Sequence, residues 1–183
     1  QILVTTYPLI GNYGVPAARP SGSLDGPYES DHIQVQGLVV QHYVDEYSHH
    51  AATRSLGAWL RDENVPAVTG IDTRTLTRKL REFGTMKGWL VPDHGDLEAA
   101  RSAAREVEMA SEVFRLVAPT AVVRYAGGPL KILLVDTGAK DNIVRSLLER
   151  GASVVRAPWH VELAPLANEA DGTVTVVVEG PKN

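Results

Sequence analysis

The run from Leu130 to Val135 constrains the fold of this chain more than any other feature. Apart from Lys131 it is apolar at successive positions instead of alternating, the pattern of a strand buried on both faces in a parallel sheet. Asp136-Thr137-Gly138 follows at once, and then an amphipathic helical stretch, Ala139 to Arg150, with Ile143, Leu147 and Leu148 facing inward and Gly151 closing it. Ala152 to Ala157 reads as a second strand, Val161 to Ala167 as a short helix and Thr173 to Val178 as a third strand. Strands and helices at this spacing imply right-handed βαβ units and a parallel sheet. Three strands before Asn183 are too few for a complete doubly wound domain.

Upstream the texture differs. Ile2 to Thr6 predicts a strand that turns at Tyr7-Pro8. Gly11 to Pro27 is rich in Gly, Pro and Ser and predicts one long functional or mobile loop. His32 to Val44 predicts a strand with a bulge at Gly37. Ala51 to Asp62, with Leu56, Trp59 and Leu60 at helical spacing, predicts a helix with Trp59 in the core. Asp72 is suited to cap a helix from Thr73 to Glu82, with Leu76 and Leu80 inward and Gly84 at its end. Gly88 to Val91 predicts a short strand and Asp96 to Met109 a further helix. The weakly patterned stretch from Val117 onward ends in Gly127-Gly128-Pro129, which reads as a flexible joint.

Composition narrows the function classes. The 183 residues include no cysteine. That excludes a disulfide framework, a Cys-ligated zinc or iron–sulfur site and a thiolate nucleophile within them. Lys and Arg total 18 against 22 Asp and Glu, a formal net charge of −4, which argues against an electrostatic nucleic-acid binder. No apolar stretch approaches the ~20 residues that a membrane helix needs. Gln1 to Pro8 lacks the charged segment of a signal peptide and reads as a chain cut in mid-strand, so a cytoplasmic protein is expected.

Asp136-Thr137-Gly138-Ala139 matches the catalytic loop of retroviral-type aspartic proteases, in which two carboxylates share a proton. The helical continuation from Lys140 to Gly151 argues instead for a strand-to-helix turn that Asp136 or Thr137 helps to cap. A glycine turn before a helix can also cradle phosphate, although Gly138 lacks the Walker or dinucleotide spacing. His49-His50 is the only histidine pair and reads as the solvated start of a helix, because adjacent residues on a helix point apart.

Four sequence blocks carry a family resemblance. Thr6-Tyr7-Pro8-Leu9-Ile10-Gly11-Asn12-Tyr13-Gly14-Val15-Pro16 resembles a loop of the small, glutaminase chain of carbamoyl-phosphate synthetase. Glu29-Ser30 with Ile33 to Val40 resembles the next block, and Val65 to Thr77, continuing to Gly84, is the strongest. Asp136 to Ile143 with Arg150-Gly151 resembles the opening of the family's class I amidotransferase domain.

The resemblance implies an α/β fold throughout. Residues 1–118 would be the small-chain N-terminal domain without its first strands, 119–129 a linker, and 130–183 the truncated start of a flavodoxin-like parallel-sheet amidotransferase domain. It implies a glutaminase that passes ammonia to a large synthetase chain, or to fused synthetase domains, which make carbamoyl phosphate from bicarbonate and ATP for arginine and pyrimidine synthesis. A non-catalytic scaffold derived from the family is the alternative. No member of the family's Cys-His-Glu triad stands in this chain, so no catalytic residue is assigned, and neither a cofactor nor a metal is expected in it. Where the family has a Ser-Asn-Gly-Pro-Gly loop that contacts glutamine, the chain has Glu179-Gly180-Pro181-Lys182, so only Gly180 is carried over as glutamine-binding. Arg74, Arg78, Lys79 and Arg81 form a local excess of positive charge and are the expected partner interface.

Overall fold

A computed structural model describes residues 1–91, 95–106 and 108–176. The described residues divide into two units, one of Gln1–Ser21 and His32–Glu108, the other of Gly22–Asp31 and residues 109–176.

The first unit opens with short strands: β1 (Ile2–Val4), β2 (Leu9–Ile10), β3 (Val15–Pro16), β4 (Gly37–Val39), β5 (His42–Tyr43) and β6 (Ala52–Arg54). Then come α1 (Leu56–Asp62), β7 (Ala67–Val68), α2 (Thr73–Phe83) and α3 (Leu97–Glu106). β4 is the centre of a parallel sheet ordered β1-β4-β7, while β2–β5 and β3–β6 are two-stranded ribbons. Leu38, Val40 and Leu60 form the buried core, packed against Ile10, Tyr43, Leu56 and Val65. Both caps follow from side-chain chemistry. Ser55 accepts a hydrogen bond from the Ala58 amide at the start of α1, and Asp72 accepts one from the Thr75 amide at the start of α2. Gly84 ends α2 with φ of 78°, a conformation that suits glycine.

Several expectations for this unit need correction. His32 to Val44 forms two strands, not one. Gly37 sits in register opposite Ile2, with no bulge, and a Cβ there would lie 2.5 Å from Leu90 Cδ1, so close packing and not chain bending calls for glycine. Ala52–Arg54 pairs with β3, so the helix begins only after Ser55. Gly88 to Val91 forms no strand, and the helix expected from Asp96 to Met109 ends at Glu106.

The second unit contains α4 (Met109–Val117), β8 (Val123–Tyr125), β9 (Leu130–Asp136), α5 (Asp141–Glu149), β10 (Ala152–Pro158), α6 (Ala164–Asn168) and β11 (Gly172–Val176). Its sheet is ordered β11-β9-β10-β8, with β9 parallel to both neighbours and β8 antiparallel to β10. The α/β parallel-sheet expectation holds, and the apolar run explains itself. Leu134 packs with Val144 and Val154 on the α5 side, while Leu133 and Val135 pack with Leu163 and Leu166 on the other. Each such side chain contributes about 1.5–3 kcal/mol on burial. From Leu133 to Asp136 the strand is covered on both faces and has no solvated position, while its start at Leu130 and Lys131 is exposed.

Residues 119–129, read as a linker, include β8, which is hydrogen-bonded into this sheet. The Gly127-Gly128 pair is no flexible joint either. The Gly127 amide donates to Ser153 Oγ at 3.0 Å, and Ser153 Oγ donates to the Gly128 carbonyl at 2.8 Å. A Cβ on either glycine would run into the backbone of Gly151 and Ala152, so the pair permits close backbone approach.

Candidate functional site

Of the second unit's three parallel strands β9 comes first, with β10 on one side and β11 on the other. In open α/β sheets, ligands bind outside the carboxyl ends of the strands where the order reverses. Here that point lies between the ends of β9 and β11, where Asp136 pairs with Val176.

Asp136 is fully buried. One carboxylate oxygen accepts from the Gly138 and Ala139 amides, both at 2.6 Å, and the other accepts from Arg156 Nε. The Arg156 fork continues to the buried Asp141 carboxylate at 2.7 Å and to the Ala139 carbonyl at 2.9 Å. Burial pulls the Arg156 pKa down, but the hydrogen bonds and charges of Asp136 and then Asp141 outweigh it, and the net direction is upward. Gly138 has φ of 115°, which an L side chain rarely adopts. The cluster ties together a strand end, a turn and a helix start. Asp136 is inaccessible and bound on both oxygens, so it cannot serve as the shared-proton acid of an aspartic protease. It braces the turn, as the strand-to-helix reading held.

The phosphate-cradle reading fails for a related reason. Lys140 occupies the N-cap position of α5 but makes no side-chain capping hydrogen bond. The Asp141 amide instead donates to the Glu29 carbonyl at 3.0 Å, and the Asn142 amide to the Glu29 carboxylate at 2.8 Å. With Gly138 and Ala139 bound to Asp136, carboxylates and a carbonyl of the chain itself hold the turn's donors.

Sequence reasoning missed Trp159 and His160, which directly follow β10. The Trp159 amide donates to the Asp136 carbonyl at 3.2 Å, its half-exposed ring meets His160 edge-on, and both therefore stand at the same carboxyl edge. Their position straight after a parallel strand was the available signal. Gly180, the residue expected to bind glutamine, lies outside the described residues.

In the first unit, Arg74, Arg78, Lys79 and Arg81 are all exposed on α2, while Leu76 and Leu80 are half-buried. Phe83, Met86 and Trp89 follow as exposed large apolar side chains. Trp59 is only half-buried, not a core residue. It lines an open cleft of about 510 Å³ with Tyr7, Leu9, Tyr13, Val15 and Leu56, and its indole donates to Glu63. Beside it, Tyr43 donates to Asp45 and accepts from the Gly57 amide, and the Tyr43 hydrogen bond, followed by that of Ser55, holds the Asp45 carboxyl below its usual range. His49 and His50 do not begin a helix. They lie in the turn before β6 with ring centroids 4.2 Å apart. Among the described residues no cluster of three or more His, Asp or Glu is placed to hold a metal ion, and no helix is long and apolar enough to cross a membrane.

Residues 1–90 match the family described as carbamoyl-phosphate synthase small chain, CPSase domain. The arginine-specific small chain of carbamoyl phosphate synthase from Saccharomyces cerevisiae is 39% identical across all of this chain, which covers 44% of that relative. The carbamoyl phosphate synthase small chain of Pyrococcus furiosus is 37% identical, again across all of this chain and 50% of the relative. The mouse mitochondrial carbamoyl-phosphate synthase [ammonia] is 37% identical across all of this chain, which spans 12% of it. The chain thus spans half or less of the length of the relatives it matches.

Proposed function

We propose that the chain is a member of the carbamoyl-phosphate synthase small-chain family and part of a glutaminase subunit supplying ammonia from glutamine to a large synthetase chain for carbamoyl phosphate synthesis. The observation that carries this reading is the pairing of a small-chain CPSase match over residues 1–90 with a following sheet whose strand order reverses at β9. Arginine and pyrimidine synthesis are the routes the product would serve, in a cytoplasmic setting.

These 183 residues by themselves hydrolyse no glutamine. Amide cleavage by acyl transfer needs an activated nucleophile and an oxyanion hole, and the family's nucleophile is a cysteine, of which the chain has none. Glutamate release by the purified chain at the buffer rate is the expected result. Release above that rate, abolished by a point substitution within the chain, would contradict it. The departure of Glu179-Gly180-Pro181-Lys182 from the family's Ser-Asn-Gly-Pro-Gly sequence favours a second reading, a non-catalytic scaffold; restored glutaminase activity in a protein carrying these residues together with a triad would exclude it.

The first unit's contribution to this function is docking. The four exposed cations of α2, continued by Phe83, Met86 and Trp89, combine a charged rim with apolar anchors, the composition of a protein interface. The partner is the large synthetase chain, which would present an acidic rim to α2. Gly180 would contact glutamine.

A further inference from the structure

The segment Gly22–Asp31 lies early in the chain but packs with the second unit. Its contacts converge on one helix end. Arg145 on α5 donates to the carbonyls of Leu24 at 3.1 Å and Tyr28 at 3.0 Å, and its guanidinium stands 3.3 Å from the Glu29 carboxylate. Glu29 in turn accepts from the first two amides of α5. Leu24 packs against the cluster of Leu134, Val144 and Val154. The ends of the segment are tied to each other, since the Gly22 amide donates to Asp31 at 3.2 Å.

We propose that Gly22–Asp31 is an electrostatic latch that supplies the missing N-cap of α5 from a distant part of the same chain. Helix N-terminal amides that lack a local partner need an acceptor, and an anion there is favoured by the helix dipole. Lys140 offers no acceptor, so the cap comes from a residue 113 positions away. The fastening is reversible by construction. Glu29 keeps 44% of its side-chain surface exposed, and exposed ion pairs hold weakly. Such a segment opens as a local unit, well below the cost of global unfolding. Closing it orders the first turn of α5, next to the point where the strand order reverses. Opening it frees that turn while Asp136 keeps its own grip on Gly138 and Ala139. The latch therefore divides control of one turn between two carboxylates, one fixed and one releasable.

Amide hydrogen exchange on the whole chain tests this residue by residue. Glu29→Gln and Arg145→Met should each speed exchange at Asp141 and Asn142 by about tenfold, the scale of a lost cap. Gly138 and Ala139 should keep their protection. Protease cleavage between Gly22 and Asp31 should rise in both variants. Adding Lys140→Ser, a local cap, to Glu29→Gln should restore protection at Asn142 while the segment stays easily cut. Unchanged exchange at Asp141 and Asn142 in both single variants would overturn the proposal. So would a uniform loss of protection that Lys140→Ser fails to rescue, because the segment would then be holding the whole sheet and not one helix end.

Discussion

Arg156 donates its Nε–H to the Asp136 carboxylate across 20 residues of chain, joining β10 to the end of β9. The same guanidinium reaches Asp141 and the Ala139 carbonyl, so one side chain satisfies acceptors on a strand, a turn and a helix. Two buried carboxylates depend on it.

Arg156→Met should therefore destabilise the second unit by about 3–5 kcal/mol, the usual cost of leaving a buried charge without its partner. Arg156→Lys should recover little, since a point charge cannot reproduce the planar fork. Urea denaturation of the variants measures both. The raised Arg156 pKa keeps the guanidinium charged at every pH below the ordinary arginine range, so the unaltered chain should show no loss of this interaction through arginine deprotonation there.

The cap of α2 should behave differently with pH. Hydrogen bonds from the Thr75 backbone and then its side chain hold the Asp72 carboxyl below its usual range. A depressed carboxylate stabilises the fold above its unfolded pKa of roughly 4, and that contribution is lost as pH falls through the folded value below it. Amide protection at Thr75 should fall on acidification through that window. The Asp72→Asn variant should show no such step.

Thr73 is buried, and its hydroxyl has no hydrogen-bond partner among the described residues. Replacing it with an isosteric apolar side chain removes an unsatisfied group. Thr73→Val should raise the stability of the chain by about 1 kcal/mol, read from denaturant midpoints. A loss of similar size would mean that the hydroxyl is satisfied.

Ser153→Ala should cost about 1 kcal/mol by removing the bridge between Gly127 and Gly128. Gly128→Ala should cost more, because its Cβ meets the Gly151 backbone. Limited proteolysis should show faster cutting around Gly127 in both variants than in the unaltered chain.

The elements that the sequence made legible are those whose local signals agree. Leu130–Val135 reads as a doubly buried strand because neighbours cover both faces from Leu133 onward, and Asp72 with Gly84 brackets α2 through cap chemistry. What stayed hidden was non-local. Ala52–Arg54 looks helical until β3 pairs with it, and the same holds for β8, whose three residues have no pattern without β10. Gly127-Gly128 looks like a hinge unless the opposing Gly151–Ala152 backbone is in place. At the candidate site, the motif around Asp136 was visible, but its lock on Arg156 and the cap from Glu29 span 20 and 113 residues, beyond any periodicity.

Association of the chain with a large synthetase chain is the most direct measure of the proposed role. At low ionic strength the unaltered chain should bind, and the double charge reversal Arg78→Glu with Lys79→Glu should slow association by tenfold or so and leave its thermal unfolding unchanged, because rim charges act chiefly on the on-rate. Higher salt should narrow the gap between the two. A chain that does not bind the large synthetase chain, or a charge-reversed variant that associates at the unaltered rate, would contradict the account that α2 docks this chain to its synthetase.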